Sequence, residues 1–208
     1  MSKHTRRSFL KTAATAATGS FAYNFAIGGE KQKILGANDT VRVAVAGIKG
    51  RGASHIGEYV GMKNVQVAYL VDVDQRTWKE RVKQVENKGK YTPKCLQDIR
   101  KALELKDLDA ISIATCNHWH ALISIWACQA GKDVYVEKPC SHNVSEGRKC
   151  VEAARKYQRI VQHGTQRRAG PAWELARDIA AGKFGRLLVA RGRSYRVRKS
   201  IGFKQPTN

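Results

Sequence analysis

Acidic residues are scarce in this chain. Only 17 Asp+Glu stand against 38 Lys+Arg in 208 residues, a formal net charge of +21. Such an excess raises nucleic acid or an anionic surface as a partner. The distribution argues against it. The basic residues are scattered over helix-like segments, and no zinc-finger spacing or other nucleic-acid motif accompanies them, so nucleic acid is not the expected partner. They are densest after Asp178, the last acid, where Lys183, Arg186, Arg191, Arg193, Arg196, Arg198, Lys199 and Lys204 have no acidic neighbours. Cys-x-x-Cys is also missing. The five cysteines, Cys95, Cys116, Cys128, Cys140 and Cys150, are odd in number and irregular in spacing, which speaks against a disulfide framework or a zinc site. They read as small buried residues, Cys140 standing out because it follows Lys138-Pro139. There is no internal repeat, no low-complexity tract and no apolar run long enough for a confident membrane span. A hydrophobic content of 42% excludes a largely disordered chain. The length allows one full domain and the start of another.

The N-terminus reads as an address. Thr5-Arg6-Arg7-Ser8-Phe9-Leu10-Lys11 matches the twin-arginine export pattern, and a weakly apolar stretch rich in Ala and Thr follows from Thr12 to Ile27. That stretch is too short and too polar for a transmembrane helix. No Cys follows it, so no lipid anchor is expected, and no membrane contact beyond the signal. The expected destination is the periplasm or beyond. A basic disordered tail is the other reading. Residues 1–38 are therefore set apart as signal and linker.

Beyond Asp39 apolar runs alternate with helical patterns. Thr40 to Gly47 reads as a buried strand, Ile48 to Gly52 as a glycine-rich turn and Ala53 to Met62 as a helix. A second strand spans Val65 to Val71, and a charged, exposed helix Gln75 to Asn87. Asp98 to Leu105 is a short helix, Leu108 to Ala114 a third strand, and Trp119 to Ala130 an apolar helix closed by Gly131. Asp133 to Val136 is a fourth strand. Asn143 and Glu146 have capping-box spacing and open a helix to about Tyr157. Ile160 to His163 is a fifth strand, Pro171 opens a helix ending near Gly182, and Leu187 to Tyr195 reads as a further strand. Strands alternating with helices at this spacing require βαβ units, hence an α/β fold with a doubly wound parallel sheet of the Rossmann kind. The expected division is residues 39–168 as one full domain and 169–208 as the start of another.

Candidate functional residues cluster at the carboxyl ends of these strands, where ligands bind in open α/β sheets. Gly47-Ile48-Lys49-Gly50-Arg51-Gly52 joins a strand to a helix, the context that gives a glycine-rich turn its meaning. Gly47 allows the tight turn, Gly52 lets the helix approach the strand, and N–H groups at the helix start can hold a pyrophosphate. Lys49 replaces the middle glycine of G-x-G-x-x-G, with Gly50 beside it, and Arg51 adds charge near the phosphate. Asp72 follows Gly52 by about 20 residues, where a carboxylate accepts from adenosine ribose hydroxyls and repels a 2′-phosphate. NAD is thus favoured, and Arg76 keeps NADP as the alternative. Thr115-Cys116-Asn117-His118-Trp119-His120 opens a helix that Asn117 could cap. His118 and His120, two apart, do not share a helix face, so no metal site is expected. Val134-Tyr135-Val136-Glu137-Lys138-Pro139 ends a buried strand with a carboxylate and an amine. Lys138 sits where a proton-transferring group is useful; a surface salt bridge is the other reading.

Together these motifs resemble the Gfo/Idh/MocA family of NAD(P)-dependent oxidoreductases. The resemblance is carried by G-I-K-G-R-G at 47–52, D-V-D at 72–74, T-C-N-H-W-H at 115–120, E-K-P at 137–139 and G-T-Q-R-R at 164–168. It implies that Lys138 is the active-site lysine at the substrate hydroxyl. It implies that Gly47, Gly50, Gly52 and Asp72 serve the dinucleotide, and that Thr115, Asn117, His120 and Glu137 lie on its nicotinamide side. The implied reaction moves hydride between nicotinamide and a carbinol carbon of a small-molecule substrate, a sugar or polyol. Burial and a cationic nicotinamide would lower the Lys138 pKa, and close pairing with Glu137 would raise it. A cofactor-dependent glycosidase of the same superfamily and a non-catalytic dinucleotide-binding fragment are the alternatives. Family members continue into a second domain that carries most substrate contacts, a catalytic histidine and usually the oligomer interface. The expectation is a chain truncated within that domain, catalytically incomplete as it stands.

Overall fold

The computed structural model describes residues 40–193 and 195. The twin-arginine motif, the apolar stretch after it and the last residues of the chain lie outside the described residues.

The first strand, β1 (Val41–Ala46), divides its side chains between two cores. Ala44 and Ala46 join Tyr69, Ile111, Ile113, Ile123, Val134 and Val136 on one face of the sheet. Val45 points the other way, to Ile48, Ile56, Val67, Leu70 and Val85. This is the period-2 alternation of a strand covered on both sides. Helices α1 (Arg51–Tyr59) and α2 (Trp78–Gly89) cover the second face through Ile56 and Val85. Helices α3 (Ile99–Leu103), α4 (Asn117–Gln129) and α5 (Val144–Lys156) cover the first through Leu103, Ile123 and Ala153. Each fully buried Val, Leu or Ile contributes about 1.5–3 kcal/mol over its exposed state.

The strands β2 (Val65–Val71), β3 (Lys94–Leu96), β4 (Ala110–Ile113), β5 (Asp133–Glu137) and β6 (Val161–Gly164) complete a six-stranded sheet in the order β3-β2-β1-β4-β5-β6. Every pairing is parallel. The order reverses between β1 and β4, the point at which open sheets of this kind bind ligands outside the carboxyl ends of the strands. A last helix, α6 (Pro171–Ala180), follows a 3₁₀ turn at Gln166–Ala169. No helix among the described residues is long and apolar enough to cross a membrane.

Four local expectations are corrected. The strand expected at 187–195 does not form among its described residues: Leu187, Leu188 and Val189 are exposed and no neighbouring strand offers them a ladder. Strand β3 was not anticipated, because three residues are too few for a visible period. Asn117 does not cap α4. It is the first helical residue, Cys116 holds the cap position, and no side-chain cap bond forms. That loop end also leaves Cys116 exposed, and only Cys128 of the five cysteines is fully buried. At α5 the capping box forms: Asn143 accepts from the Glu146 N–H at 2.9 Å. The Glu146 carboxylate returns to the N–H of His142 at 2.8 Å, one residue before the cap.

Candidate active site

The glycine turn is fixed by close approach. Gly47 has φ of +80°, and a Cβ there would lie 2.6 Å from the backbone of Ala114 and Thr115. A Cβ on Gly52 would lie 2.0 Å from the Gly47 carbonyl oxygen. Gly50 has open space on the same test, with no atom within 4 Å. Two glycines are therefore demanded by the fold, and the third leaves the turn open to solvent where a ligand's phosphates can approach. The turn is also tied to β2: Gly47 N–H donates to the Val71 carbonyl at 2.9 Å.

Asp72 braces this turn. Its Oδ2 accepts from the Ile48 N–H and its Oδ1 from the Asp74 N–H, each at 2.9 Å. Each carboxylate oxygen keeps a lone pair for a further donor. Arg76 is engaged elsewhere, donating to both oxygens of Asp74 at 2.7 and 2.9 Å. That guanidinium holds the Asp74 carboxyl down at about 2, and Lys49, exposed on the turn, adds a smaller push in the same direction.

At the end of β5 neighbouring residues diverge. Glu137 is buried, only 4% exposed. Its Oε1 accepts from Arg51 Nε at 2.8 Å, from Gln166 Nε2 at 2.6 Å and from His55 Nε2 at 3.2 Å. Its Oε2 accepts from the Lys138 backbone N–H at 3.1 Å. Burial pushes this carboxyl up, but the Arg51, His55, Gln166 and Lys138 hydrogen bonds outweigh it and bring the pKa down to about 2. The expected close pairing of Glu137 with the Lys138 ammonium is absent. Lys138 is exposed, and among the described residues no acceptor lies within hydrogen-bond reach of its amine. The Lys138-Pro139 bond is cis.

Thr115 and Asn117 stand at the carboxyl end of β4, beside the glycine turn. His120 is turned into the protein instead. It is 1% exposed, its Nδ1 lying 2.6 Å from the Pro139 carbonyl and its Nε2 3.1 Å from the Thr115 carbonyl. It clips the start of α4 to the turn that carries Lys138.

His55 and Ser112 escaped the sequence reading, and Gln166, though part of the G-T-Q-R-R motif, carried no assigned role. His55 is buried on α1 and touches Ser112 Oγ through Nδ1 at 2.8 Å. A signal for it existed. Gly52, His55, Ile56 and Tyr59 follow the i, i+3, i+4, i+7 spacing of an inward face. A polar residue in such a stripe needs a partner.

Comparison with known proteins agrees with this geometry. The description "Oxidoreductase family, NAD-binding Rossmann fold" (Gfo/Idh/MocA) matches residues 41–165. A glycosyl hydrolase family 109 protein from Shewanella pealeana is 28% identical over 174 residues, 76% of this chain and 38% of the relative. An alpha-N-acetylgalactosaminidase from Shewanella oneidensis is 28% identical over 173 residues, 74% of this chain and 38% of that protein. This chain thus spans under two fifths of the length of these relatives. Among solved structures, scyllo-inositol dehydrogenase from Lactobacillus casei with NAD(H) and scyllo-inositol bound superposes with a TM-score of 0.62 at 19% identity, covering 71% of this chain and 43% of that one. Myo-inositol 2-dehydrogenase from Lactobacillus plantarum gives 0.62 at 20% identity, covering 72% and 44%. Likeness at that identity shows the fold. With the family pattern matched from β1 through β6 over more than half its length, the chain belongs to the Gfo/Idh/MocA oxidoreductase family and carries its NAD-binding Rossmann domain.

Proposed function

We propose that this chain serves hydride transfer between NAD and a carbinol carbon of a sugar or polyol, with Lys138 receiving the hydroxyl proton. One observation carries the reading. At the end of β5 the carboxylate of Glu137 is buried and fully engaged, while the adjacent Lys138 side chain is exposed and unpaired among the described residues. A salt bridge would hold a lysine as the ammonium, which has no lone pair; the step needs the neutral amine, and no carboxylate among the described residues ties Lys138 to the charged form. NAD, when bound, supplies the hydride acceptor at C4 of its nicotinamide.

The chain's own residues divide the remaining work. The N–H groups at the start of α1 would hold the pyrophosphate against the open side of Gly50. The free lone pairs of Asp72 would accept from ribose hydroxyls, and its charge would oppose a 2′-phosphate. Arg76, committed to Asp74, offers such a phosphate little. Thr115 and Asn117 would flank the nicotinamide. In this proposal residues 39–168 form the dinucleotide domain, residues 169–208 begin a substrate domain, and the N-terminal motif directs twin-arginine export.

A second reading is favoured by the sequence relatives. One bears the name alpha-N-acetylgalactosaminidase. A glycosidase that oxidises its sugar transiently would use the same first hydride step and return the hydride after elimination. The test is to incubate the chain, extended by a family-type second domain, with NAD and a panel of sugars, polyols and a chromogenic α-N-acetylgalactosaminide. Accumulating NADH supports the dehydrogenase. Chromophore release without net NADH supports the glycosidase. Neither outcome with any substrate, NAD being bound, contradicts both.

A further inference from the structure

Arg51, His55 and Tyr59 are spaced by four along α1, so they share one face. That face meets polar groups on two strands. Tyr59 donates to Ser112 Oγ at 3.3 Å, His55 Nδ1 lies 2.8 Å from the same oxygen, and His55 Nε2 lies 3.2 Å from Glu137. Arg51 reaches Glu137 directly. On the far side Gln166 joins Glu137 to the Tyr135 hydroxyl, 3.2 Å away. Gly164 allows this approach, since a Cβ there would lie 2.9 Å from the Tyr135 hydroxyl.

The directions of these bonds follow from chemistry. An ionised Glu137 only accepts, so His55 Nε2 carries its hydrogen. Burial pushes the His55 pKa down, so the ring is neutral and Nδ1 accepts from the Ser112 hydroxyl. The serine oxygen in turn accepts from Tyr59. The order Ser–His–Glu matches that of a hydrolytic triad. Burial excludes that role. Ser112 is 1% exposed, lies within β4, and spends its hydrogen on His55.

We infer that Arg51 and His55 are positioning residues, which lock the helix beginning at the glycine turn to the strand end that presents Lys138. Arg51 is the first helical residue after the turn. Its guanidinium donates to Glu137 through Nε. Glu137 therefore fixes two things at once: the helix start, through Arg51 and His55, and the backbone of Lys138, through its N–H. Dinucleotide affinity and Lys138 placement are coupled through one carboxylate. This rests on the dinucleotide reading of the site.

The test is a double-mutant cycle on NAD affinity, measured calorimetrically on the full chain. Arg51→Met and Glu137→Gln should each weaken binding roughly tenfold, and the double variant should be no weaker than the weaker single one. Arg51→Lys, which keeps a donor within reach of Glu137, should recover affinity to within about threefold. A purely structural defect would not be rescued in this graded way. Should Glu137→Gln fail to fold, Arg51→Met combined with His55→Gln reads the same coupling. Losses that multiply in the double variant would make Arg51 a direct phosphate ligand and overturn the inference. Failure of the unaltered chain to bind NAD would overturn the dinucleotide reading and this inference with it.

Discussion

Arg51 and Glu137, 86 residues apart, meet in a 2.8 Å ion pair that joins the helix after the glycine turn to the end of strand β5. Arg51 is half exposed and Glu137 almost fully buried. The partly desolvated carboxylate depends on its donors more than they depend on it.

Glu137→Gln is expected to destabilise the fold by on the order of 3 kcal/mol, the linkage value of a carboxyl held near 2 instead of its ordinary 4.5. Because the folded pKa lies below the unfolded one, this contribution is present above about pH 4.5. It is lost as pH falls from there toward 2. Urea unfolding at a series of pH values measures it. A variant as stable as the parent at pH 7, with an unchanged acid limb, would contradict the assignment.

His55 gives a second pH signature. Burial holds its folded pKa below 6.5, with Glu137 opposing and Arg51 assisting. The unfolded chain thus takes up the proton first. Stability should be full above about pH 6.5 and should fall as pH drops through that value toward the folded pKa. In His55→Gln the slope between neutral pH and 5 should flatten. Parallel curves for the two proteins would show that His55 does not titrate with unfolding.

The two glycines of the turn should separate cleanly. Gly52→Ala puts a methyl 2.0 Å from a backbone oxygen and should cost about 1–3 kcal/mol or more, with loss of NAD binding. Gly50→Ala meets nothing within 4 Å and should change stability by no more than about 0.5 kcal/mol. If it weakens NAD binding nonetheless, the open space at Gly50 is where the ligand lies. Thermal unfolding and calorimetric titration of both variants give the answer.

On the proposed address reading, export would depend on Arg6 and Arg7. Replacing both with Lys should retain the protein in the cytoplasm, since the pair is what the export receptor reads. Unchanged delivery in cell fractionation would remove the address reading.

Much of the fold was legible in the chain because strands buried on both faces write continuous apolar runs. Val65 to Val71 was delimited to the residue, and β5 to within one. The capping residue Asn143 and the helix-opening Pro171 were equally plain. What escaped was non-local. The pairing of Arg51 with Glu137 depends on which strands are neighbours, and nothing near Arg51 in sequence announces it. The same holds for His120, which looks like a site residue by position but is occupied by two carbonyls. Residues 187–193 carry a strand-like pattern, yet a strand exists only where a neighbour supplies its hydrogen bonds.

The most direct test of the central claim follows the hydride itself. The chain, extended by a family-type second domain, is incubated with NAD and substrates deuterated at the carbinol carbon, and the recovered cofactor is examined by mass spectrometry. The account predicts deuterium on the nicotinamide ring, with Lys138→Ala reducing its appearance by about 100-fold or more while NAD binding persists. Undiminished transfer in Lys138→Ala, or none from any sugar or polyol to bound NAD, would contradict it.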